Sequence, residues 1–150
     1  MEIATFGAGC FWHVQAEFDQ IKGVTKTEVG YMGGDVKNPK YEQVCTDKTG
    51  HIEVCQVEYD PKKVEYKHLL EIFWKMHDPT QVDGQGVDKG KQYMSTIFYH
   101  NDKQKKEAED SFKVKEKELG KLATNILPAK EFWKAEEYHQ KYFVKHGKVC

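Results

Sequence analysis

The sequence has no arginine: all 23 of its basic residues are lysines, set against 24 acidic ones. A guanidinium fork for bidentate recognition of carboxylate or phosphate is therefore missing, which argues against anionic substrates. No stretch is dominated by basic residues and the formal net charge is −1, so nucleic-acid binding driven by phosphate neutralisation is not expected. No apolar run approaches the length that spans a bilayer. The opening Met1-Glu2-Ile3-Ala4-Thr5-Phe6 lacks a basic flank followed by an apolar run, so no signal peptide is expected. Together these absences point to a cytoplasmic protein without membrane association. Cysteine pairs are missing too. The four cysteines stand at 10, 45, 55 and 150, a spacing that fits neither a zinc ribbon nor a thioredoxin-type motif. Cytoplasmic disulfides are seldom structural, so chemistry or plain burial remain as explanations.

What is present suits one globular domain over 1–150. The chain is 39% hydrophobic and 31% charged, and its length allows a real core. Residues 2–8 read as a strand, broken by Gly7 and Gly9. From Cys10 to Ile21 the pattern is helical, with Phe11, Val14, Phe18 and Ile21 on one apolar stripe, and Gly23 ends it. Val24–Tyr31 reads as a strand and 32–50 as mostly loop, marked by Gly33-Gly34, Asn38-Pro39 and Thr49-Gly50. A strand is expected over 51–59, then a helix burying Tyr66, Leu69, Leu70, Phe73 and Trp74 and stopped at Asp78-Pro79. Residues 80–92 read as an exposed loop and Met94–Tyr99 as a strand. A charged helix capped by Asn101 or Asp102 runs to Leu119. A short strand over Thr124–Leu127 and a final helix near 135–145 complete the chain. This order predicts an α+β two-layer sandwich, a ferredoxin-like split βαβ plait (βαββαβ) with added C-terminal helices.

Cys10 follows a glycine-rich turn and opens a helix, where unsatisfied N–H groups and the positive end of the helix dipole stabilise a thiolate. Position alone supports a nucleophile and a small buried apolar residue equally. The glycines make neither a phosphate loop, since no Gly-Lys-Ser/Thr follows, nor a dinucleotide fingerprint, since Trp12 stands at the third glycine position. Trp12 lies off the apolar stripe and is suited to wall an apolar pocket, or to pack under the following loop. Strand alternation puts Glu53 on the face of Cys55, Val57 and Tyr59. Desolvation there would keep its carboxyl protonated, as a general acid must be, whereas a lone glutamate more often reaches solvent. Tyr41 and Tyr93 could each donate a hydrogen bond to a developing oxyanion. His51, His77 and Asp78 lack metal-ligand spacing. His77 reads as a helix C-terminal residue satisfied locally, and Cys55 as core.

These residues, taken together, resemble the A-type peptide-methionine sulfoxide reductases. The resemblance rests on Gly9-Cys10-Phe11-Trp12, on Glu28-Val29-Gly30-Tyr31 with Gly33-Gly34, and on Asn38-Pro39-Lys40-Tyr41-Glu42-Gln43-Val44-Cys45. It continues through Thr49-Gly50-His51-Ile52-Glu53, Phe73-Trp74, His77-Asp78-Pro79-Thr80-Gln81, the run Gln85 to Tyr93, and Ala135 to Gln140. The blocks cover most of the chain in the family's order and are highly specific as a set.

The resemblance implies that Cys10 attacks the sulfur of methionine S-sulfoxide and that Glu53 protonates its oxygen. It implies further that Tyr41 and Tyr93 hydrogen-bond that oxygen, that Asp88 belongs to the active site, and that Phe11 and Trp12 hold the substrate methyl. No metal and no organic cofactor are expected, and the chain is expected to act as a monomer. The sulfenic acid left on Cys10 would condense with a second thiol. Cys150, on a short tail after Gly147, is the first candidate and Cys45 the second. Thioredoxin or another dithiol would then complete the cycle. Three departures from the family pattern bear on substrate preference and loop packing: His13 in place of glycine, Val87 of asparagine and Met94 of arginine. The competing readings are a cysteine hydrolase or thiol peroxidase with a histidine base, and a redox-sensing or methionine-binding module without turnover.

Overall fold

The computed structural model describes residues 2–9, 11–34, 37, 39, 40, 51–82, 84, 85, 88, 89 and 93–135. Along them run β1 (Glu2–Gly7), α1 (Phe11–Asp19), β2 (Val24–Met32), β3 (Ile52–Tyr59), α2 (Tyr66–Lys75), β4 (Gly84–Gln85), β5 (Asp88–Lys89), β6 (Thr96–Tyr99), α3 (Asp102–Leu119), β7 (Asn125–Pro128) and β8 (Trp133–Lys134). Six of the strands form one sheet in the order β7-β6-β1-β3-β2-β8. β1 is antiparallel to both neighbours, β3 and β6, and β3 to β2. β7 lies parallel to β6, as a strand returning through a helical crossover, here α3, can. The class is α+β.

Alternation on the central strands sorts side chains between two faces. Ala4, Phe6, Val29, Tyr31, Cys55, Val57, Tyr59 and Ile97 share one core with residues of all three helices. Phe6 is its centre, with ring centroids 5.1 Å from Phe18, 5.9 Å from Tyr66 and 5.2 Å from Phe73. The expected stripe on α1 is the buried one, carried by Phe11, Val14 and Phe18. The buried face of α2 is likewise the expected one. A second, smaller cluster of Met32, Ile52, Val54 and Phe98 packs under Ala129 and Phe132.

Two expectations are corrected. Residues 80–92 are not all loop, because Gly84 pairs with Lys89 and Gln85 with Asp88 in an antiparallel ribbon. The chain after β7 also adds an unexpected edge strand. β8 pairs with Gly30 and Tyr31, and Lys134 reaches Glu28 at 3.0 Å. Gly30 matters for this approach: a Cβ there would collide with the Trp133 carbonyl and come within 2.7 Å of the Phe132 ring. Apart from Ala135, the expected final helix lies outside the described residues.

The charged helix α3 begins as its sequence suggests. Asn101 is extended, and its side-chain oxygen accepts the Gln104 amide at 2.9 Å, satisfying one orphan donor of the first turn. Asn101→Ala should lower unfolding free energy by about 1 kcal/mol in urea titrations, with no change in activity per folded molecule. A loss below a few tenths would show that the cap is not stabilising.

Candidate active site

Three strand ends meet at Gly7, the last residue of β1. A Cβ built there would stand 2.9 Å from Ile52 Cγ2, 3.2 Å from the Glu53 carbonyl and 3.4 Å from the Met94 carbonyl. Glycine thus lets β1, the start of β3 and the segment before β6 approach closely. Gly9 follows with φ +95°, in the left-handed region that other residues avoid. Cys10 itself lies outside the described residues. In sequence it falls between this turn and Phe11, the first residue of α1.

The Phe11 amide is one of the donors a helix N-terminus leaves without an intrahelical partner. It donates to Glu53 Oε1 at 3.4 Å. Glu53 is 1% exposed and points toward the helices, as its place in register with Tyr31 and two residues before core Cys55 requires. The carboxyl therefore sits in the core, against the start of α1.

Phe11 is fully buried, its ring 6.4 Å from Trp12 and 5.8 Å from Tyr31. Trp12 is only partly buried and packs against the edge of the core. It thus serves core and surface at once, where the sequence suggested no part in the core. Tyr93 is partly buried, three residues before β6. The carbonyl of the neighbouring Met94 comes close to Gly7. Asp88 lies in β5 opposite Gln85. Tyr41, Cys45 and Cys150 lie outside the described residues, as does Val87, whereas His13 is on α1. Cys55 is buried, the core residue expected.

His51, also buried, accepts the Gly34 amide on Nδ1 at 3.1 Å and so holds the Gly33-Gly34 turn against β3. No group of three metal-ligating side chains occurs among the described residues. His77 is satisfied locally as expected, with Nδ1 at 2.6 Å from the Phe73 carbonyl. The sequence did not disclose its second contact, Nε2 at 2.6 Å from Ser95 Oγ. No local pattern signals a bond between segments 18 residues apart.

A family model described as peptide methionine sulfoxide reductase matches residues 2–150. The chain belongs to that family. Among its relatives, the peptide methionine sulfoxide reductase MsrA of Methanosarcina mazei is 55% identical, over 98% of this chain and 71% of the relative. That of Geobacter sulfurreducens is 51% identical, over 98% and 93%. Among solved structures, Mxr1 of Saccharomyces cerevisiae in reduced form superposes with a TM-score of 0.94 at 34% identity, covering 99% of this chain and 87% of that one. Methionine sulfoxide reductase A of Corynebacterium diphtheriae gives 0.91 at 36% identity, covering 99% and 77%. The reductase is thus an oxidoreductase acting on methionine sulfoxide. No helix among its described residues is long and apolar enough to cross a membrane.

Burial holds the His77 imidazole at a pKa of about 4, below its ordinary 6.5, against weaker upward pulls from the Phe73 carbonyl and Asp78. The folded reductase keeps this ring neutral, while the unfolded chain takes up a proton once the pH drops below about 6.5. The stabilisation is therefore fully present above that pH and is lost as the pH falls toward 4, by up to about 3 kcal/mol. Denaturant titrations at pH 7 and 4.5 should show a smaller acid loss for His77→Gln than for wild type. Equal losses would mean that His77 contributes nothing to acid sensitivity.

Proposed function

We propose that the chain reduces the S epimer of methionine sulfoxide, free or in polypeptides, with Cys10 as nucleophile and Glu53 as proton donor. The observation that carries this reading is the buried Glu53 carboxyl accepting the amide of the residue directly after Cys10. An acid held at that point can protonate a sulfoxide oxygen while the neighbouring thiolate attacks its sulfur. Breaking the sulfur–oxygen bond releases methionine and leaves the oxygen on Cys10 as a sulfenic acid. Trp12, backed by the buried Phe11 ring, walls the substrate methyl. Tyr41 and Tyr93 donate to the oxygen as it gains negative charge, and Asp88 completes the polar side of the site.

The sulfenic acid then condenses with a thiol, losing water and forming a disulfide. We assign that thiol to Cys150, with Cys45 as the alternative. Thiol–disulfide exchange with thioredoxin or another external dithiol returns both cysteines to the reduced state. A solved structure of Mxr1 of Saccharomyces cerevisiae in complex with Trx2 is among the structural relatives, with a TM-score of 0.67 at 25% identity over 94% of this chain and 84% of that one. It supports thioredoxin as the recycling partner. We read the four strands ordered β6-β1-β3-β2 as the split βαβ plait, the whole chain as one monomeric domain without cofactor, and its compartment as the cytoplasm. The histidine-base alternative gains nothing from His77 or His51: both ring nitrogens of His77 are engaged and His51 Nδ1 accepts the Gly34 amide.

In a dithiol-dependent assay the wild type should reduce the S epimer and leave the R epimer untouched, and Cys10→Ser should be inactive. Reduction of the R epimer alone, or activity surviving that substitution, would end this reading. Substrate added without reductant should yield a peptide pair joined between Cys10 and Cys150 on mass analysis. Normal thioredoxin-supported turnover by Cys150→Ser would instead transfer the resolving role to another thiol, Cys45 first.

A further inference from the structure

A polar chain links the end of α2 to Ser95, two residues after Tyr93, and on to Thr124 before β7. Its first member is His77. The Phe73 carbonyl can only accept, so Nδ1 carries the proton and donates to it at 2.6 Å. In the neutral ring Nε2 is then left as an acceptor, and the Ser95 hydroxyl donates to it at 2.6 Å. Ser95 Oγ in turn accepts from the Thr124 hydroxyl at 2.8 Å. Ser95 and Thr124 are buried, so either hydroxyl loses a partner that water does not readily replace if their link is cut.

The ring that anchors the chain is held firmly. It lies 4.4 Å from the Phe73 ring and 6.4 Å from that of Trp74, which donates to Ser111 Oγ at 2.7 Å. The neighbouring Asp78 carboxylate is engaged with Thr80, Oδ1 accepting both its amide and its hydroxyl. The far end is held by backbone: the Asn125 amide donates to the Ser95 carbonyl at 3.1 Å and the Ala123 amide to the Pro79 carbonyl at 2.7 Å. Ser95 is thus fixed through both its side chain and its main chain. Met94, between Ser95 and Tyr93, is fixed on its carbonyl by Thr96 Oγ1 at 3.2 Å and packs at the Gly7 crossing.

We propose that His77 is a positioning residue for the reduction: through Ser95 it fixes the segment from which Tyr93 reaches the substrate oxygen. The inference rests on the role given to Tyr93 above. It accounts for a histidine bonded across the fold although no ligand or substrate role falls to it. A displacement of about 1 Å in a catalytic group is enough to slow a reaction by two orders of magnitude, so the relay can act on rate without touching substrate.

The test is a set of variants assayed on free methionine S-sulfoxide. His77→Asn keeps a donor for the Phe73 carbonyl but no longer reaches Ser95, and Ser95→Ala removes the link from the other side. Both should lower kcat about tenfold or more with little change in KM. His77→Gln, long enough to place an acceptor near Nε2, should recover most of the rate. Alkylation of Cys10 by iodoacetamide should keep its wild-type rate in all three, which a general loss of structure would not allow. On a Tyr93→Phe background, Ser95→Ala should add little further loss, because both act through one group. If Tyr93→Phe alone keeps the wild-type kcat, the role of Tyr93 falls and this inference with it. If Tyr93→Phe is slow while Ser95→Ala and His77→Asn keep wild-type kcat, or multiply the Tyr93→Phe loss in full, the inference alone is overturned. Should Ser95→Ala not fold, His77→Asn against His77→Gln decides: equal rates overturn the proposal.

Discussion

The Glu53 carboxyl accepts the Phe11 amide from inside the core, where the start of α1 meets the central sheet. A carboxyl so deeply buried is costly unless it has partners, and α1 supplies one that every helix start leaves over. The same contact fixes where α1 begins relative to β3. Fold and chemistry meet in that hydrogen bond.

The surrounding architecture brings further groups to this point. Gly7 allows three strand ends to approach within van der Waals distance of one another. Gly9 turns the chain through a conformation open to glycine, and Tyr31 stands opposite Glu53 across the β2–β3 ladder. The His77–Ser95–Thr124 chain ties the end of α2, the segment before β6 and the segment before β7 together. The aromatic core around Phe6 is the rigid body on which these contacts are mounted. A site assembled from the ends of strands and the start of a helix has more restricted geometry than one built wholly on loops.

Much of this was legible in the sequence because it is local. The stripe Phe11, Val14, Phe18 has helical spacing, Glu53 alternates in phase with Cys55 and Val57, and Asn101 stands where a cap belongs. Periodicity and capping chemistry report such features directly. The Gly7-Ala8-Gly9 run read as a chain break, and that was half of its role. Its other half, the close approach of Ile52, Glu53 and Met94 to Gly7, depends on contacts distant in sequence. For the same reason the His77–Ser95 bond and the β8 edge strand were missed. Two-residue strands such as β4, β5 and β8 carry too few residues to show alternation. Family resemblance, rather than periodicity, was what singled out Asp88 and gave Tyr41 its role, whereas Cys150 was chosen for its place on the tail after Gly147.

The central claim is that Glu53 supplies the proton when Cys10 attacks the sulfoxide. The most direct test is a single turnover of Glu53→Gln with methionine S-sulfoxide and no reductant, following methionine release by rapid quench. Glutamine keeps an acceptor for the Phe11 amide but has no acidic proton to give. The account predicts a rate lower by about two orders of magnitude or more, with the iodoacetamide reactivity of Cys10 preserved. Methionine release at the wild-type rate would contradict it.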